Sequence, residues 1–210
     1  MEYEAFIFDL DGTLVETTAK GRYAIIGGVL NELGVTASNA DIDAFWFGLD
    51  RAGTVKKRFG VEPALFFDVY HKHDTVETRG PHVKPYEDVG IVQSLKVRGY
   101  KTGIVSGVMR AIAEHERGLI GHEHFDITVL ARTSEGSMPK PHPHGLVECL
   151  KMLGVQPQNS IYVGNAEEDV LMARAAGVHD VLIDRDEHTH KTEASMVIRS
   201  LYELSSLFGR

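Results

Sequence analysis

The chain is short of cysteine, of basic surplus and of long apolar runs, and each shortage removes a class of function. A single cysteine, Cys149, among 210 residues leaves no intrachain disulfide and no multi-cysteine metal site to be built. That favours a reducing compartment, the cytoplasm. Lys and Arg number 22 against 30 Asp and Glu, a net charge of −8, so no general affinity for nucleic acid or an anionic membrane is expected, because both need a basic face. No apolar run approaches the ~18 residues of a membrane span. The first residues carry acids and no basic n-region, so the chain is expected to be soluble and unprocessed. There is no Gly-rich Walker loop and no His-Glu-x-x-His pattern. Four His-x-His pairs (His71 and His73, His122 and His124, His142 and His144, His188 and His190) fall in helical or loop-like sequence and are expected at the surface.

What is present is a repeated unit of short apolar run followed by helix. Ala5-Phe6-Ile7-Phe8 runs into Asp9, Thr102-Gly103-Ile104-Val105 into Ser106, Ile127-Thr128-Val129-Leu130 into Ala131, Ser160-Ile161-Tyr162-Val163 into Gly164, and Asp180-Val181-Leu182-Ile183 into Asp184. Runs of this length and composition suit fully buried strands. Between them lie helical stretches at Val89–Arg98, Arg110–Arg117, His144–Leu153 and Glu167–Ala176, each followed by a glycine suited to a helix end. The alternation predicts an α/β fold, a Rossmann-like open parallel sheet with helices on both faces, whose ligands sit at the carboxyl ends of the strands. From about Val15 to Lys84 the rhythm breaks, and helical periodicity (Tyr23, Ile26, Leu30, Leu33) appears without a buried strand. This section is expected to be an inserted helical cap over residues 15–85, with Phe45, Trp46, Phe47, Phe59, Phe66 and Phe67 forming its own small core. Residues 1–14 and 86–210 then make the α/β core domain, and Gly80–Pro85 reads as a hinge.

The chemistry is expected at the first strand end. Asp9-Leu10-Asp11-Gly12-Thr13 places two carboxylates two residues apart, on one side of an extended chain. They repel, so a cation or a shared proton must hold both near an anionic substrate, and a hard cation such as Mg²⁺ fits an oxygen-ligand set beside phosphate. Gly12 permits the sharp turn that follows.

Phe-Asp-Leu-Asp-Gly-Thr-Leu, residues 8–14, resembles the first motif of the haloacid dehalogenase-like hydrolases. The resemblance continues in order along nearly the whole chain. Ser106, followed by Gly107, is similar to the second motif, whose hydroxyl binds a phosphoryl oxygen; Lys140 is similar to the third, whose ammonium balances nucleophile and phosphate. It implies Asp9 as nucleophile, Asp11 as the acid that protonates the leaving oxygen and later activates water, and Mg²⁺ held by Asp9, Asp11, Asn165 and Asp169. The fourth motif departs from the frequent Gly-Asp-x-x-x-Asp pattern: here Gly164-Asn165-Ala166-Glu167-Glu168-Asp169 puts an amide where a carboxylate is usual. Asn165 is open to two readings that are compatible with each other, a magnesium ligand that carries no charge and a helix cap, with Asp169, and Glu168 as a further candidate, expected to carry more of the metal. The helical insert places the resemblance in the branch of phosphoglycolate phosphatases and β-phosphoglucomutases. The expected activity is Mg²⁺-dependent hydrolysis of a small phosphorylated metabolite, with a phosphomutase as the alternative and a non-catalytic phosphate-binding protein as the lesser one. Lys20, Arg22, Lys56, Lys57 and Arg58 are candidate specificity charges, though residues of this kind are more often plain solvated charges.

Overall fold

In the computed structural model, which describes residues 3–209, all four side chains of β1 (Ala5–Phe8) are fully buried. An apolar strand with no polar face can only be central, and β1 is. In chain order β2 (Val15–Thr17) and β3 (Val83–Pro85) follow, then β4 (Lys101–Ser106), β5 (Ile127–Leu130), β6 (Ser160–Gly164), β7 (His179–Ile183) and β8 (Met196–Ile198). Six of these form one parallel sheet in the order β5-β4-β1-β6-β7-β8. The order runs outward from β1 to β5, then returns to the other side of β1, so the topological switch lies at β1.

Both faces are covered, as parallel strands joined by helical crossovers require. On one face Ile7, Val105 and Tyr162 pack with Leu146, Cys149 and Leu150 of helix His144–Leu153 and with Met172 of helix Glu167–Ala175. On the other, the Phe6 ring meets Tyr100 at 5.1 Å and Phe208 at 5.9 Å between ring centroids. Every large side chain so buried is worth roughly 1.5–3 kcal/mol, which fixes the strand order far more firmly than any surface charge.

The five predicted strands are present, and β8 joins them. Its three residues, with Val197 half exposed, are too short for a periodic signal. Gly118 does not close its helix: the helix runs Arg110–Ile120 and ends at Gly121. Its apolar stripe through Ile112 and Ala113 is buried, and that burial outweighs the modest helix cost of one glycine.

Thr17–Lys84 forms a second compact unit, and the described residues on either side form the first. The second unit is helical, with Ala19–Glu32, Asn39–Trp46 and Pro63–His73 as its longest elements. Its core gathers Ile25, Val29, Ile42, Phe45, Val55, Phe59 and Phe66, with Phe66 5.0 Å from Phe45 and 5.5 Å from Phe59. Ser38 and Asp41 cap Asn39–Trp46 reciprocally, which explains why a chain following Pro-free loop sequence enters a helix there. Arg22 proves to be a buried residue of this unit, not a solvated charge. It is 6% exposed, donates to the Thr17 carbonyl at 3.1 Å and to Asp43 at 3.4 Å, and lies over the Phe47 ring. The hinge sequence Gly80–Pro85 is ordered as a short 3-10 turn, Gly80–His82, followed by β3. Strands β2 and β3 form a separate two-stranded sheet.

Candidate active site

Register brings the strand ends together. Phe8 pairs with Ile104 on one side and Val163 on the other, so the next residue, Asp9, emerges between the ends of β4 and β6. Its amide bonds the Val163 carbonyl at 2.9 Å, and Asp9 is 7% exposed. The chain then turns sharply. The amides of Thr13, Leu14 and Val15 all donate to the Leu10 carbonyl, at 3.3, 2.9 and 3.1 Å, and Gly12 N donates to Val15 O at 2.7 Å. Gly12 has φ +81°, and a side chain there would overlap the Asn165 amide. Glycine is thus required twice, for its backbone angle and for room. Asp11 lies half-buried on this turn.

Lys140 is the hub. It sits in the loop before helix His144–Leu153, its side chain 5% exposed, and its Nζ donates to Asp9 Oδ1 at 2.6 Å and Asp169 Oδ1 at 2.7 Å. Asp169 is hydrogen-bonded on both oxygens: Oδ1 also accepts from the Tyr162 hydroxyl at 3.1 Å, and Oδ2 accepts from the Ala166 amide at 3.0 Å. Asp169 thus anchors Lys140 beside Asp9. Gly164 makes the arrangement feasible, since a Cβ there would strike the Asp169 carboxylate.

Asn165 is not the helix cap. The helix begins at Glu167 with Ala166 as its N-cap, and Asp169 supplies the acceptor for the Ala166 amide. Asn165 faces the turn after β1, where its Oδ1 lies 3.4 Å from the Thr13 hydroxyl that donates to it. Ser106 ends β4 and is 1% exposed. The carbonyl of Gly107 accepts from Arg132 Nη1 at 2.8 Å.

Tyr162 was not singled out by the motifs. Its hydroxyl lies 2.9 Å from the Val105 carbonyl and 3.1 Å from Asp169, and Lys140 Nζ stands 5.5 Å from its ring centroid. The signal was present: a tyrosine inside an otherwise apolar buried strand must find a partner for its hydroxyl.

The electrostatics follow from this packing. Burial pushes the Asp9 carboxyl up to about 7, and the Asp169 charge pushes the same way while Lys140 opposes both. Burial works against the Lys140 ammonium, but Asp169 and Asp9 outweigh it and keep it charged above the ordinary lysine range. One ammonium therefore faces two carboxylates, and the cluster is one positive charge short. A hard cation would supply it. Oxygen donors are at hand on the turn that follows Asp9, where the Asn165 amide oxygen lies beside Thr13, and such donors suit magnesium. Among the described residues no three His, Cys, Asp or Glu side chains converge as a metal cluster, so the fit rests on a carboxylate, an amide and backbone oxygen rather than on an all-acid cage.

Residues 6–183 match the family described as haloacid dehalogenase-like hydrolase. The chain is 28% identical over 182 residues to a phosphoglycolate phosphatase of Aquifex aeolicus, covering 84% of this chain and 82% of that one. It is 32% identical over 185 residues to the pyrophosphatase PpaX of Bacillus cereus, covering 84% and 81%. The fold is shared with a haloacid dehalogenase-like family hydrolase from Streptococcus pneumoniae (TM-score 0.79, 18% identity, 97% of each chain). CbbY from Rhodobacter sphaeroides in complex with phosphate has the same fold (TM-score 0.75, 18% identity, 96% of each chain). With Asp9, Lys140 and Asp169 joined at the carboxyl ends of its central strands, the chain belongs to the haloacid dehalogenase-like hydrolases, alongside relatives named as phosphatases.

Proposed function

We propose that the protein is a phosphatase of the cytoplasm that hydrolyses a small phosphorylated metabolite through an aspartyl-phosphate on Asp9. The observation that carries this reading is Lys140 bridging Asp9 and Asp169 at 2.6 and 2.7 Å. A nucleophile held on a buried ammonium is aimed at the approaching anion, and the ammonium opposes the burial that favours its protonated form. Asp9 Oδ attacks phosphorus in line with the ester oxygen. Asp11 gives its proton to the departing alkoxide, then takes one from the water that cleaves the acyl phosphate. Lys140, the Ser106 hydroxyl and the Leu10 and Asp11 amides hold the equatorial oxygens as charge spreads over them. Magnesium, held by Asp9, the Asn165 amide oxygen and the Asp11 backbone, would supply the charge that the cluster lacks and neutralise the phosphoryl oxygens.

The relatives define the first substrates to test. A panel holding 2-phosphoglycolate, pyrophosphate, sugar phosphates and p-nitrophenyl phosphate, assayed with Mg²⁺ for released phosphate, should show turnover. Asp9→Asn should lower it by on the order of 10⁴-fold or more with the fold intact, as loss of a covalent nucleophile requires. An isomerised sugar phosphate without phosphate release would instead identify a mutase. An active Asp9→Asn variant would remove Asp9 from the role of nucleophile.

A further inference from the structure

A second buried cation stands behind the turn that carries Asp11. Arg185 follows β7, and its side chain is 9% exposed. Nη1 and Nη2 donate to the two oxygens of Asp88 at 2.8 and 3.0 Å, and Nη2 also donates to the Thr13 carbonyl at 2.7 Å. The guanidinium lies 3.8 Å from the Tyr86 ring centroid. Asp88 is fixed from its other side by the Ser200 hydroxyl at 3.1 Å and the Leu201 amide at 2.8 Å. Burial alone would raise the Asp88 carboxyl, but Arg185 and the Leu201 amide outweigh it and hold it below its ordinary value.

A bidentate ion pair would be complete with Asp88 alone. The third bond goes instead to Thr13, whose hydroxyl faces Asn165, and whose neighbours Gly12 and Leu14 close the turn on Leu10 and Val15. The next carbonyl along, Leu14 O, accepts from the Tyr86 amide at 3.0 Å, and Tyr86 carries the ring under Arg185. Arg185, Tyr86 and Asp88 thus form one rigid backing for residues 11–14. A planar fork with three directed bonds restrains a backbone far better than a single rotatable ammonium.

We propose that Arg185 is a positioning residue of the hydrolase, which sets the backbone of the Asp11–Thr13 turn through the Thr13 carbonyl. Its kinetic consequence rests on the phosphatase reading; its structural consequence does not. The test uses Arg185→Lys and Arg185→Met in the full chain, with amide hydrogen exchange read at Gly12 and Val15 in metal-free protein, and kcat and KM measured on the best substrate of the panel. The expected result is exchange at Gly12 and Val15 faster by about tenfold in Arg185→Lys, while amides of β6 and of helix His144–Leu153 keep their protection. Turnover should drop on the order of 30-fold in kcat with KM within about threefold, the pattern of a misplaced reacting group. Uniform loss of protection with unchanged kcat would mean a purely structural ion pair and would overturn the proposal, as would full protection and full kcat in Arg185→Lys. If Arg185→Met does not fold, Arg185→Lys alone decides. If the wild-type protein turns over no phosphate compound, the phosphatase reading fails separately, and exchange at Gly12 still decides the role of Arg185.

Discussion

Each unit buries an ion cluster, and the two are built to opposite ends. In the helical unit Arg79 and Asp74 form a closed pair: both side chains are under 5% exposed, the guanidinium donates at 2.9 and 3.0 Å, and Tyr70 adds a third bond to Asp74 at 2.8 Å. The Arg79 fork reaches Thr17 as well, and its face lies against Trp46. One charge meets one charge, and the pair serves the packing of its own unit. In the α/β unit Lys140 meets two carboxylates, and burial leaves Asp9 with a carboxyl raised to about 7. A satisfied pair holds a fold together, whereas a cluster left short of charge is ready for a ligand that brings it.

The sharpest way to break this comparison is Arg79→Met. Removing one partner leaves Asp74 buried and uncompensated, which should cost about 3–5 kcal/mol, measured as a lowered melting temperature or a partial unfolding step in the helical unit; a variant as stable as wild type would show that the pair is not structural. Asn165→Asp moves the other cluster in the expected direction. It should tighten magnesium by about tenfold through added ligand charge, seen by isothermal titration. The same change should destabilise the metal-free protein by about 1 kcal/mol, because a further carboxylate enters an already negative cluster. Unchanged metal affinity would show that Asn165 holds Thr13 and Gly12 and nothing else. The smallest effect is in pH. Asp9 has a folded-state value raised from 3.8 to about 7, so its neutral form is favoured by the fold. The stability it contributes is present below 3.8 and is lost as pH rises through about 7. In chelator, the melting temperature of the wild type should therefore decline across that window relative to Asp9→Asn, and parallel curves would contradict the raised value.

The sheet was legible because buried parallel strands are written as unbroken apolar runs, and Phe6-Ile7-Phe8 cannot be placed anywhere but the centre. The first motif marked Asp9 for a related reason, since it stands where the first run stops, and the structure brings Lys140 and Asp169 to it. What escaped was long-range. The Tyr162 hydroxyl meets Asp169 only seven residues on, but its meaning depends on Lys140 arriving from another crossover. Arg185 contacts Thr13 across 172 positions, and no local pattern records such a distance. For Asp169, helical spacing shows which residues share its face, whereas its bonds to the Ala166 amide and the Lys140 ammonium depend on the fold. Arg22 reads as a surface charge on residue type alone, whereas the Thr17 carbonyl, Asp43 and the Phe47 ring hold it buried.

The central place of β1 has a consequence for how the protein comes into being. Ala5 pairs with Lys101 on one side and Ser160 on the other, so β1 waits for some 150 further residues before both edges are covered. Contacts so distant in sequence form late in folding. Asp9 emerges from the ribosome early but gains Lys140 and Asp169 only when the crossovers have closed. The Asp9–Lys140–Asp169 cluster is thus a product of the finished sheet, assembled only in a chain whose pairing is complete across β1 and β6.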